Sequence, residues 1–315
     1  MNAAREPTRR PADRQADRPA DRPGRLAVGI IGAGRVGAVL GAALATAGHH
    51  IVAVSAISAA SLRRREQLLP GVEIRPVDQV GPACDLLMLA VPDDALPSLI
   101  AGLVEAGGIR RGQFVVHTSG RYGIDVLQPA TDAGGLPLAL HPVMTFTGTS
   151  IDLERISGVC FGVTAPELLR PVAETLVLEI GGDPVWIAEE NRPLYHAALA
   201  HASNHLVTLV ASSMDLLRAA GADDPQRMLG PLLSAALDNA LRYGDSGLTG
   251  PVVRGDSATV RKHLDVIAAT SPEINAAYVA MARLTADRAL AAGLLAPETA
   301  VELLDVLAGR REAAE

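Results

Sequence analysis

Two short stretches of this chain carry residue types that could bind an anion. The first, Gly32-Ala-Gly34-Arg-Val-Gly37, has the spacing G-x-G-x-x-G. The second, GLTGPVVRGDSATVRKHL from Gly247 to Leu264, gathers hydroxyl, carboxylate, guanidinium and imidazole groups in a region otherwise rich in Ala, Leu and Val. Glycines let backbone N–H groups approach a phosphate, and an arginine pairs with carboxylates, so both stretches predict anion binding.

The glycine stretch stands in the context that a dinucleotide site requires. Residues 26–31 read as a buried strand, and an apolar stripe at helical spacing follows the glycines up to Gly48. The helix N-terminus then offers free N–H groups and a positive dipole end to a pyrophosphate. A glycine turn without a ligand is the alternative. The cofactor-binding residues that we predict are Gly32, Ala33, Gly34, Arg35, Val36, Gly37, Ser55, Ser58, Arg63, Val91 and Pro92.

The end of the second predicted strand indicates which dinucleotide binds. An NAD site usually has an Asp or Glu there, whose carboxylate accepts a hydrogen bond from the ribose 2′-hydroxyl. No Asp or Glu stands between His49 and Arg65. Ser55, Ser58 and the run Arg63–Arg65 occupy this region instead, and hydroxyl and guanidinium groups suit a 2′-phosphate. The sequence therefore predicts NADP(H), with solvated surface arginines as the alternative.

Further apolar runs end in polar residues, as strands of a parallel sheet covered on both faces do. One run ends in His117-Thr-Ser119-Gly120 and another in His141-Pro142. Open α/β sheets bind ligands beyond the carboxyl ends of their strands, so we expect Ser119 and His141 beside the nicotinamide. A turn-forming or capping role is the alternative for Ser119.

The elements that must position these groups divide the 315-residue chain into three parts. Residues 1–24 repeat Ala-Asp-Arg among prolines, which predicts a disordered tail and not a signal peptide. Residues 25–190 predict an α/β domain with a Rossmann-type parallel sheet. Residues 191–315 predict an all-α domain, whose long apolar stripes favour substrate binding and dimerisation.

Composition narrows the class of partner. Hydrophobic residues make up 49% and charged residues 20%, which indicates a globular chain, and the net charge of −7 argues against a nucleic-acid surface. No stretch of about twenty residues is free of charges or of Gly and Pro, so we expect no membrane span. The two cysteines, Cys84 and Cys160, lie in apolar runs and predict buried thiols in a reducing cytoplasm.

The helical half carries candidate groups of its own. His201 and His205 lie one turn apart, but no third ligand accompanies them, so we predict no metal site. In the stretch from residue 247, Gly and Pro predict a loop, and Asp256 or Ser257 caps the helix that follows. That helix N-terminus together with Arg254 suits an anion; an ion pair between Arg254 and Asp256 that ties loop to helix is the alternative.

Several motifs together resemble one family: "VGIIGAGRVG", "HTSG", "HPVMTF", "YHAALAHASNHL" and "LTGPVVRGD". This family of NADP-dependent oxidoreductases joins a Rossmann domain to a helical domain of formerly unknown function. The resemblance covers nearly everything after the tail. The wider superfamily is similar to 6-phosphogluconate dehydrogenase. It includes ketopantoate reductase, pyrroline-carboxylate reductase and the 3-hydroxyacid dehydrogenases. Some narrower members resemble an alternative ketopantoate reductase, which implies reduction of a small acidic metabolite, 2-dehydropantoate, to pantoate in pantothenate biosynthesis.

The resemblance also implies roles for residues of the helical half. The 3-hydroxyacid dehydrogenases and the usual ketopantoate reductase carry a helical Lys four residues before an Asn, and that Lys donates a proton to the ketone oxygen as hydride arrives. Asn204 matches the Asn, whereas Ala200 stands at the Lys position. A histidine or water must then donate the proton. The candidate histidines are His141, His196, His201 and His263.

The expected mechanism assigns the remaining groups. We expect Arg254 to pair with the substrate carboxylate, with Asp256 orienting it and Thr249 and His263 close by. Asn204 and Ser119 hydrogen-bond the substrate oxygens, and His201 or His141 protonates the alkoxide. The alternatives are an imine reductase, hydride exchange with a deazaflavin, and an NADP-binding sensor without turnover. Helical domains of this type favour a homodimer.

Overall fold

A computed structural model describes residues 24–309, so the predicted tail lies outside the described residues except for Gly24. The chain divides into two compact units, Met1–Ala200 and His201–Glu315. The division falls within a helix, Arg192–Ala219, that begins just after the predicted domain boundary at residue 190. Each unit is described below by itself.

The first unit is built on one sheet. Among the described residues its strands are β1 Ala27–Ile31, β2 His50–Ser55, β3 Glu73–Ile74, β4 Leu86–Leu89, β5 Phe114–His117, β6 Leu136–Pro142, β7 Cys160–Thr164 and β8 Asp183–Trp186. Their order across the sheet is β3-β2-β1-β4-β5-β6-β7-β8. This confirms the predicted Rossmann-type α/β fold, with the strand order reversing direction next to β1.

Seven α-helices of the first unit connect these strands. Within the described residues they are α1 Arg35–Thr46, α2 Ala59–Leu68, α3 Val77–Val80, α4 Leu96–Glu105, α5 Gln128–Asp132, α6 Ile151–Arg155 and α7 Arg170–Glu179. Strand β4 shows why the sheet needs helices on both faces. Leu86 and Met88 belong to one apolar cluster, whereas Leu87 and Leu89 belong to another. Successive strand residues point to opposite faces, so a continuous apolar run must be covered twice.

One strand pair departs from the all-parallel sheet that the sequence predicts. β6 and β7 are antiparallel, with His141 opposite Gly162. A parallel neighbour needs a crossover that returns the chain along the sheet, usually a helix. The connection of residues 143–159, which contains the five-residue α6, does not cross the sheet, and β7 runs back beside β6. The ten-residue α7 then supplies a crossover, and β8 is parallel to β7.

The second unit is helical, as predicted. It contains the part of α8 (Arg192–Ala219) from residue 201 onward, α9 Pro225–Tyr243, α10 Ser257–Thr270, α11 Pro272–Ala291 and α12 Pro297–Leu307. Val260, Ala286 and Leu303, on α10, α11 and α12, are fully buried and mark its core. In contrast, α8 and α9 leave large apolar side chains exposed: Leu194, Leu206, Val207, Leu209, Met228, Leu232, Leu237, Leu241 and Tyr243.

The two cysteines differ in exposure. Cys84 is buried, and burial raises the pKa of its thiol to about 11. Cys160 begins β7 and is exposed, so the prediction that both thiols are buried is wrong for Cys160. An apolar run places a residue in a strand, but the first position of a strand can still face solvent. Between residues 24 and 309, no helix has the length and apolar character needed to cross a membrane.

Candidate active site

The three glycines of the G-x-G-x-x-G stretch differ in why a side chain would be unfavourable there. Gly32 has φ +97°, and a Cβ there would lie 2.4 Å from the carbonyl oxygen of Ala90. A Cβ at Gly37 would lie 2.2 Å from the carbonyl oxygen of Gly32. Gly34 is different, because its φ is −74° and a Cβ there would meet no atom within 4 Å. The fold therefore requires Gly32 and Gly37, whereas Gly34 keeps space clear in front of the helix.

The N-terminus of α1 is open. Gly34 is the N-cap, no side chain caps the helix, and no acidic residue stands in its first turn. Its first N–H groups and the positive end of its dipole are thus available to an anion. The turn is fixed from the neighbouring strands: the N–H groups of Gly32 and Ala33 donate to the carbonyl of Ser55 at 3.2 and 3.0 Å, and Val91 packs beside Gly32.

Some of the polar residues after β2 make hydrogen bonds within the fold, whereas others are exposed. Ser58 is exposed and caps α2, accepting the N–H of Ser61 at 3.1 Å. Arg65 donates to the carbonyl of Val72 and is committed to the fold. Arg63 is exposed, with no hydrogen bond or ion pair to any residue between 24 and 309. The three consecutive arginines therefore have different environments.

A second arginine, Arg64, meets Arg35 beside a loop. A Cβ at Gly148 would lie 2.6 Å from Nε of Arg64 and 3.0 Å from Cγ of Arg35. The buried Asp152 holds this loop by accepting the N–H groups of Thr147 and Gly148 at 2.8 and 2.7 Å. The structure thus places the Arg64 guanidinium and the aliphatic part of the Arg35 side chain beside the same loop. Arg64 belongs to the predicted run Arg63–Arg65, of which only Arg63 was predicted individually as a cofactor-binding residue.

His117 and Ser119 form the turn after β5. His117 is fully buried; its Nε2 lies 2.7 Å from the carbonyl oxygen of Gly123, and its Nδ1 accepts the N–H of Ser119 at 3.2 Å. The hydroxyl of Ser119 accepts the N–H groups of Arg121 and Tyr122 at 3.2 and 3.3 Å. These bonds give Ser119 the turn-forming role that the sequence analysis kept as an alternative.

His141 lies at the end of β6 among groups from the start of α8. A Cβ at Gly120 would lie 2.8 Å from its Nε2 and 3.0 Å from Cδ2 of His196. Nδ1 of His141 is 2.8 Å from the hydroxyl of Tyr195, and the two rings meet edge to face. We call His141, Tyr195, His196 and Gly120, together with Arg192 below, the strand-end cluster.

Arg192 is the buried cation of the strand-end cluster. Only 1% of it is exposed, and its guanidinium donates to the hydroxyl of Thr164 at 2.8 Å. It also donates to the carbonyls of Gly162 and Ala139 at 3.0 and 3.3 Å. Its carbon Cζ lies 5.6 Å from the centroid of the Tyr195 ring. Its Nη1 has no hydrogen-bond partner among the residues that the structure describes.

Burial and this cation set the charge of the two strand-end histidines. Burial is the main cause that lowers the pKa of His117 to about 4 and that of His141 to about 4, and the charge of Arg192 lowers both further. Asp93 opposes these effects without cancelling them. At neutral pH both rings are neutral. His141 is therefore not the charged acid of near-neutral pKa that the sequence analysis had in view, but it can donate a hydrogen bond.

The second polar stretch folds around α10 differently from the prediction. Val252 and Val253 are buried, which leaves Arg254 exposed on the turn between them and the helix. Asp256 is the N-cap, as expected, and accepts the N–H of Thr259 at 3.0 Å. Hydrogen bonds from Thr259 and then the charge of Arg254 lower the pKa of Asp256, but within residues 24–309 no ion pair joins the two. A carboxylate thus occupies the helix end where we expected an anionic ligand.

The remaining predicted residues lie on separate elements of the second unit. Thr249 is exposed, and Nδ1 of His263 is 2.9 Å from the hydroxyl of Tyr278 on α11. On α8, His201 and His205 are exposed, with their Nδ1 atoms 2.8 Å apart. Asn204, also exposed, accepts from the hydroxyl of Ser203. In the part of the chain from 24 to 309, no group of three or more His, Cys, Asp or Glu is arranged to hold a metal ion.

Comparisons with known proteins agree with the fold. A model for a Rossmann-like domain matches residues 12–142, and a model for a domain of unknown function, DUF2520, matches residues 159–285. No curated protein matches the chain by sequence. These two models meet the chain in the order that the sequence analysis expects, a Rossmann domain before a domain without an assigned function.

Solved structures share the architecture at low sequence identity. A candidate NADP oxidoreductase from Bacteroides fragilis is 22% identical, with a TM-score of 0.70 over 84% of this chain and 98% of that one. An imine reductase from Pseudomonas sp. is 19% identical, with a TM-score of 0.59 over 90% and 99% of the two chains. A pyrroline carboxylate reductase from Plasmodium falciparum, solved with NADP bound, is 10% identical, with a TM-score of 0.52 over 88% and 98%. At these identities the likeness establishes the fold.

Proposed function

We propose that this chain is an NADP(H)-dependent oxidoreductase that reduces a small 2-keto acid. The observation that carries the proposal is the open N-terminus of α1 at Gly34, at the same edge of the sheet as the strand-end cluster. A dinucleotide whose pyrophosphate binds there directs its nicotinamide toward the carboxyl ends of the strands. The cofactor supplies hydride to the substrate carbon, and the protein binds, orients and stabilises charge.

His141 is the group that we assign to the reacting oxygen. As hydride reaches a carbonyl carbon, negative charge develops on the carbonyl oxygen, and a neutral N–H donor aimed at that oxygen stabilises it. The neutral state of His141 suits this role, since the ring can donate without carrying a charge of its own. Ser119 and Gly120 would border the same region. The proton that completes the alkoxide comes from water or from another histidine, His196 or His201.

The preference for NADP(H) rests on the two arginines that meet beside Gly148. The Arg64 guanidinium and the Arg35 side chain lie beside Gly148, and we propose that these two arginines bind the 2′-phosphate of the adenosine ribose; Arg63 is exposed on α2. Guanidinium groups bind phosphate in two-point geometry that a ribose hydroxyl cannot match. We therefore assign NADP(H) over NAD(H).

For the substrate we propose 2-dehydropantoate, because the motifs resemble an alternative ketopantoate reductase. In the second unit, Arg254 is the proposed partner of the substrate carboxylate, and Asn204, Thr249 and His263 are proposed to contact the rest of the substrate. Asp256 enters only as the helix cap. Arg254→Ala should weaken binding of an acidic substrate by about 1.5–3 kcal/mol, the scale of a lost charge-assisted hydrogen bond. An unchanged KM in a folded Arg254→Ala protein would remove that arginine from the site.

Imine reduction is the second candidate, and one residue favours it. Ala200 stands where keto-acid reductases carry a proton-donating Lys, and an imine substrate can arrive already protonated. The fold is also shared with an imine reductase and a pyrroline carboxylate reductase. Oxidation of NADPH should be followed with a panel of 2-keto acids, including 2-dehydropantoate, and of cyclic imines. Turnover with imines alone would select the second candidate. Binding of NADPH with no turnover across the panel would indicate a sensor.

We also propose that the chain is a homodimer through α8 and α9. Many large apolar side chains on these two helices are exposed within one chain, and exposed apolar surface favours an interface. Val207 and Leu241 are 69% and 80% exposed, so a charge at either position should leave the fold of one subunit intact. Light scattering should give a dimer for the native chain and a monomer for Val207→Glu with Leu241→Glu. A monomeric native chain would contradict the proposal.

A further inference from the structure

We propose that Tyr195 is a positioning residue that decides which ring nitrogen of His141 carries the proton. Its hydroxyl lies 2.8 Å from Nδ1 of His141, and in this proposal the hydroxyl is the donor. The neutral ring then keeps its proton on Nε2, the nitrogen that faces Gly120. The role of that N–H in catalysis rests on the proposed function, whereas the position of the proton does not.

The surroundings of Tyr195 fix the direction of its hydrogen bond. The phenol oxygen lies against Gly162, where a Cβ would be 2.3 Å away, and it accepts from the backbone there. Apart from this bond and the one to His141, Tyr195 makes no hydrogen bond with any residue from 24 to 309. Nδ1 of His141 is thus the acceptor left for the phenol proton, and a half-buried hydroxyl without an acceptor would lose free energy.

The ring plane of Tyr195 is held by the cation beneath it. Cζ of Arg192 lies 5.6 Å from the ring centroid, and that guanidinium is itself fixed by hydrogen bonds to Thr164, Gly162 and Ala139. β6 and β7 together therefore fix Arg192, which with Gly162 places Tyr195 against the imidazole of His141. This chain of contacts gives Tyr195 one orientation, as a residue that selects a tautomer requires.

The charged and titratable groups that face His141 keep its ring neutral. From α8, Arg192 and His196 oppose a positive charge on the ring, and from β5 His117 does the same. From the loop after β4, Asp93 favours the charge but is outweighed by burial. With the ring neutral, the bond from Tyr195 leaves a single tautomer in which Nε2 is the donor.

The donor nitrogen lies beside the buried Gly120, a position without a side chain. Nε2 of His141 makes no hydrogen bond with any residue between 24 and 309, and a Cβ at position 120 would lie 2.8 Å from it. The glycine therefore avoids a clash beside this N–H. A carbonyl oxygen at this position would receive a neutral donor, whereas the opposite tautomer would present a lone pair and repel it.

The position of the proton can be measured directly by NMR on the full chain. We would record long-range ¹H–¹⁵N spectra of ¹⁵N-histidine-labelled protein, with the His141 signals assigned by their loss in His141→Gln. The expected result from pH 5.5 to 8 is a pyridine-type Nδ1 and a pyrrole-type Nε2. A pyrrole-type Nδ1, or a ring that becomes charged in that range, would overturn the proposal.

Two variants and a matched control test whether Tyr195 is responsible. Tyr195→Phe removes only the hydroxyl, and Gly162→Ala displaces it; each should give a mixture of both His141 tautomers. Tyr278→Phe removes the equivalent hydroxyl from His263 and should leave the His141 signals unchanged. An unaltered His141 tautomer in a folded Tyr195→Phe protein would refute the role, as would equal changes in Tyr278→Phe.

Kinetics then separate positioning from mere structure. With the substrate found in the panel above, Tyr195→Phe should lower kcat at least about tenfold and change KM less than threefold, because a positioning bond to a histidine acts mainly in the transition state. Equal kcat values for the native chain and Tyr195→Phe would overturn the proposed role of Tyr195 in catalysis. If no substrate is turned over, the proposed function fails, while the NMR result still decides the role of Tyr195.

Discussion

The two units build polar clusters from the same parts, yet the clusters differ in what they leave open. Each has a glycine-containing loop that leads into a helix. At α1 the N-cap is Gly34, with no side-chain cap and no acid in the first turn. At α10 the N-cap is Asp256, whose carboxylate accepts from Thr259. Two similar glycine-containing loops thus lead into different helix ends. The N-terminus of α1 can bind a phosphate, whereas that of α10 already carries a negatively charged side chain.

The same contrast runs through the His–Tyr pairs and the arginines. His141–Tyr195 and His263–Tyr278 share an edge-to-face geometry and Nδ1–hydroxyl distances of 2.8 and 2.9 Å. Only the first pair stands over a buried arginine, whereas the arginine of the second cluster is exposed. Local sequence specifies the hydrogen bond, and the surrounding fold decides the charge state in which it operates.

Replacing the two arginines should give the largest difference between the clusters. Arg192→Met deletes three hydrogen bonds from a side chain that is 1% exposed, and it leaves buried acceptors unpaired. We expect a loss of about 2–4 kcal/mol in the free energy of unfolding. Arg254→Met, at an exposed position, should change it by less than about 0.5 kcal/mol. Urea unfolding measures both, and equal stabilities of the two variants would contradict the contrast.

The strand-end histidines should make stability depend on pH. Their folded pKa of about 4 is below the ordinary value of 6.5, so the unfolded chain binds more protons between these values. Stability is therefore lost as pH falls from 6.5 toward 4, by on the order of 3 kcal/mol for each histidine over the whole window.

Unfolding at pH 5 and pH 7 can isolate one of these contributions. His117→Gln keeps a side chain that can hydrogen-bond and removes the titration, so its loss of stability between the two pH values should be smaller than that of the native chain. An identical pH dependence in the two proteins would show that His117 does not titrate in this way.

The arginines beside the adenosine end should separate NADPH from NADH. Arg64→Ala removes the guanidinium group that lies beside Gly148 and should weaken NADPH binding about tenfold, with little change for NADH. Arg65→Ala is unsuitable as the control variant, because the Arg65 side chain donates a hydrogen bond to the carbonyl of Val72. Arg63→Ala is the control instead. A larger effect from Arg63→Ala than from Arg64→Ala would show that the sequence analysis chose the better residue.

The smallest effect concerns the closed helix end of α10. Asp256→Asn keeps a side chain that can cap the helix and removes its negative charge. If Arg254 binds the substrate carboxylate, KM for an acidic substrate should fall about two- to fivefold, the scale of one charge at a helix terminus. Since its pKa is lowered in the folded state, Asp256 stabilises the fold at neutral pH, and this contribution is lost as pH falls through the folded pKa. A raised KM in Asp256→Asn would instead favour a direct role for the carboxylate.

The sequence predicts the parts of the molecule that depend on local patterns. The strand–turn–helix unit, the cap at Asp256 and the helical second half follow from periodicity and from capping residues within a few positions. The sequence also places Ser119 and His141 after the apolar runs of β5 and β6, and their catalytic roles stay predictions. The charge state of His141 was not predicted, since burial and the charge of Arg192 lower its pKa.

Arg192 and Tyr195 were not predicted, and Arg64 was predicted only as part of the run Arg63–Arg65, because tertiary contacts give these three residues their surroundings. Arg192 and Tyr195 contact both β6 and β7, and these two strands pair antiparallel where the pattern predicts a parallel sheet. Arg64 is one of three consecutive arginines, and only the folded loop at Gly148 distinguishes it from its neighbours. The residue pattern thus leaves undetermined the direction in which a strand pairs with its neighbour. It also leaves undetermined which side chains become buried against residues distant in sequence.

The binding of NADPH to Gly34→Ala tests the central claim most directly. Alanine fits the backbone at φ −74°, and its Cβ meets no protein atom within 4 Å, so stability should stay within about 0.5 kcal/mol of the native chain. Gly102→Ala, another open position, is the matched control. Calorimetric titration should show NADPH affinity at least about tenfold weaker in Gly34→Ala and unchanged in Gly102→Ala, because the methyl group occupies the approach to the pyrophosphate. Native affinity in Gly34→Ala would contradict a cofactor seated on the open end of α1.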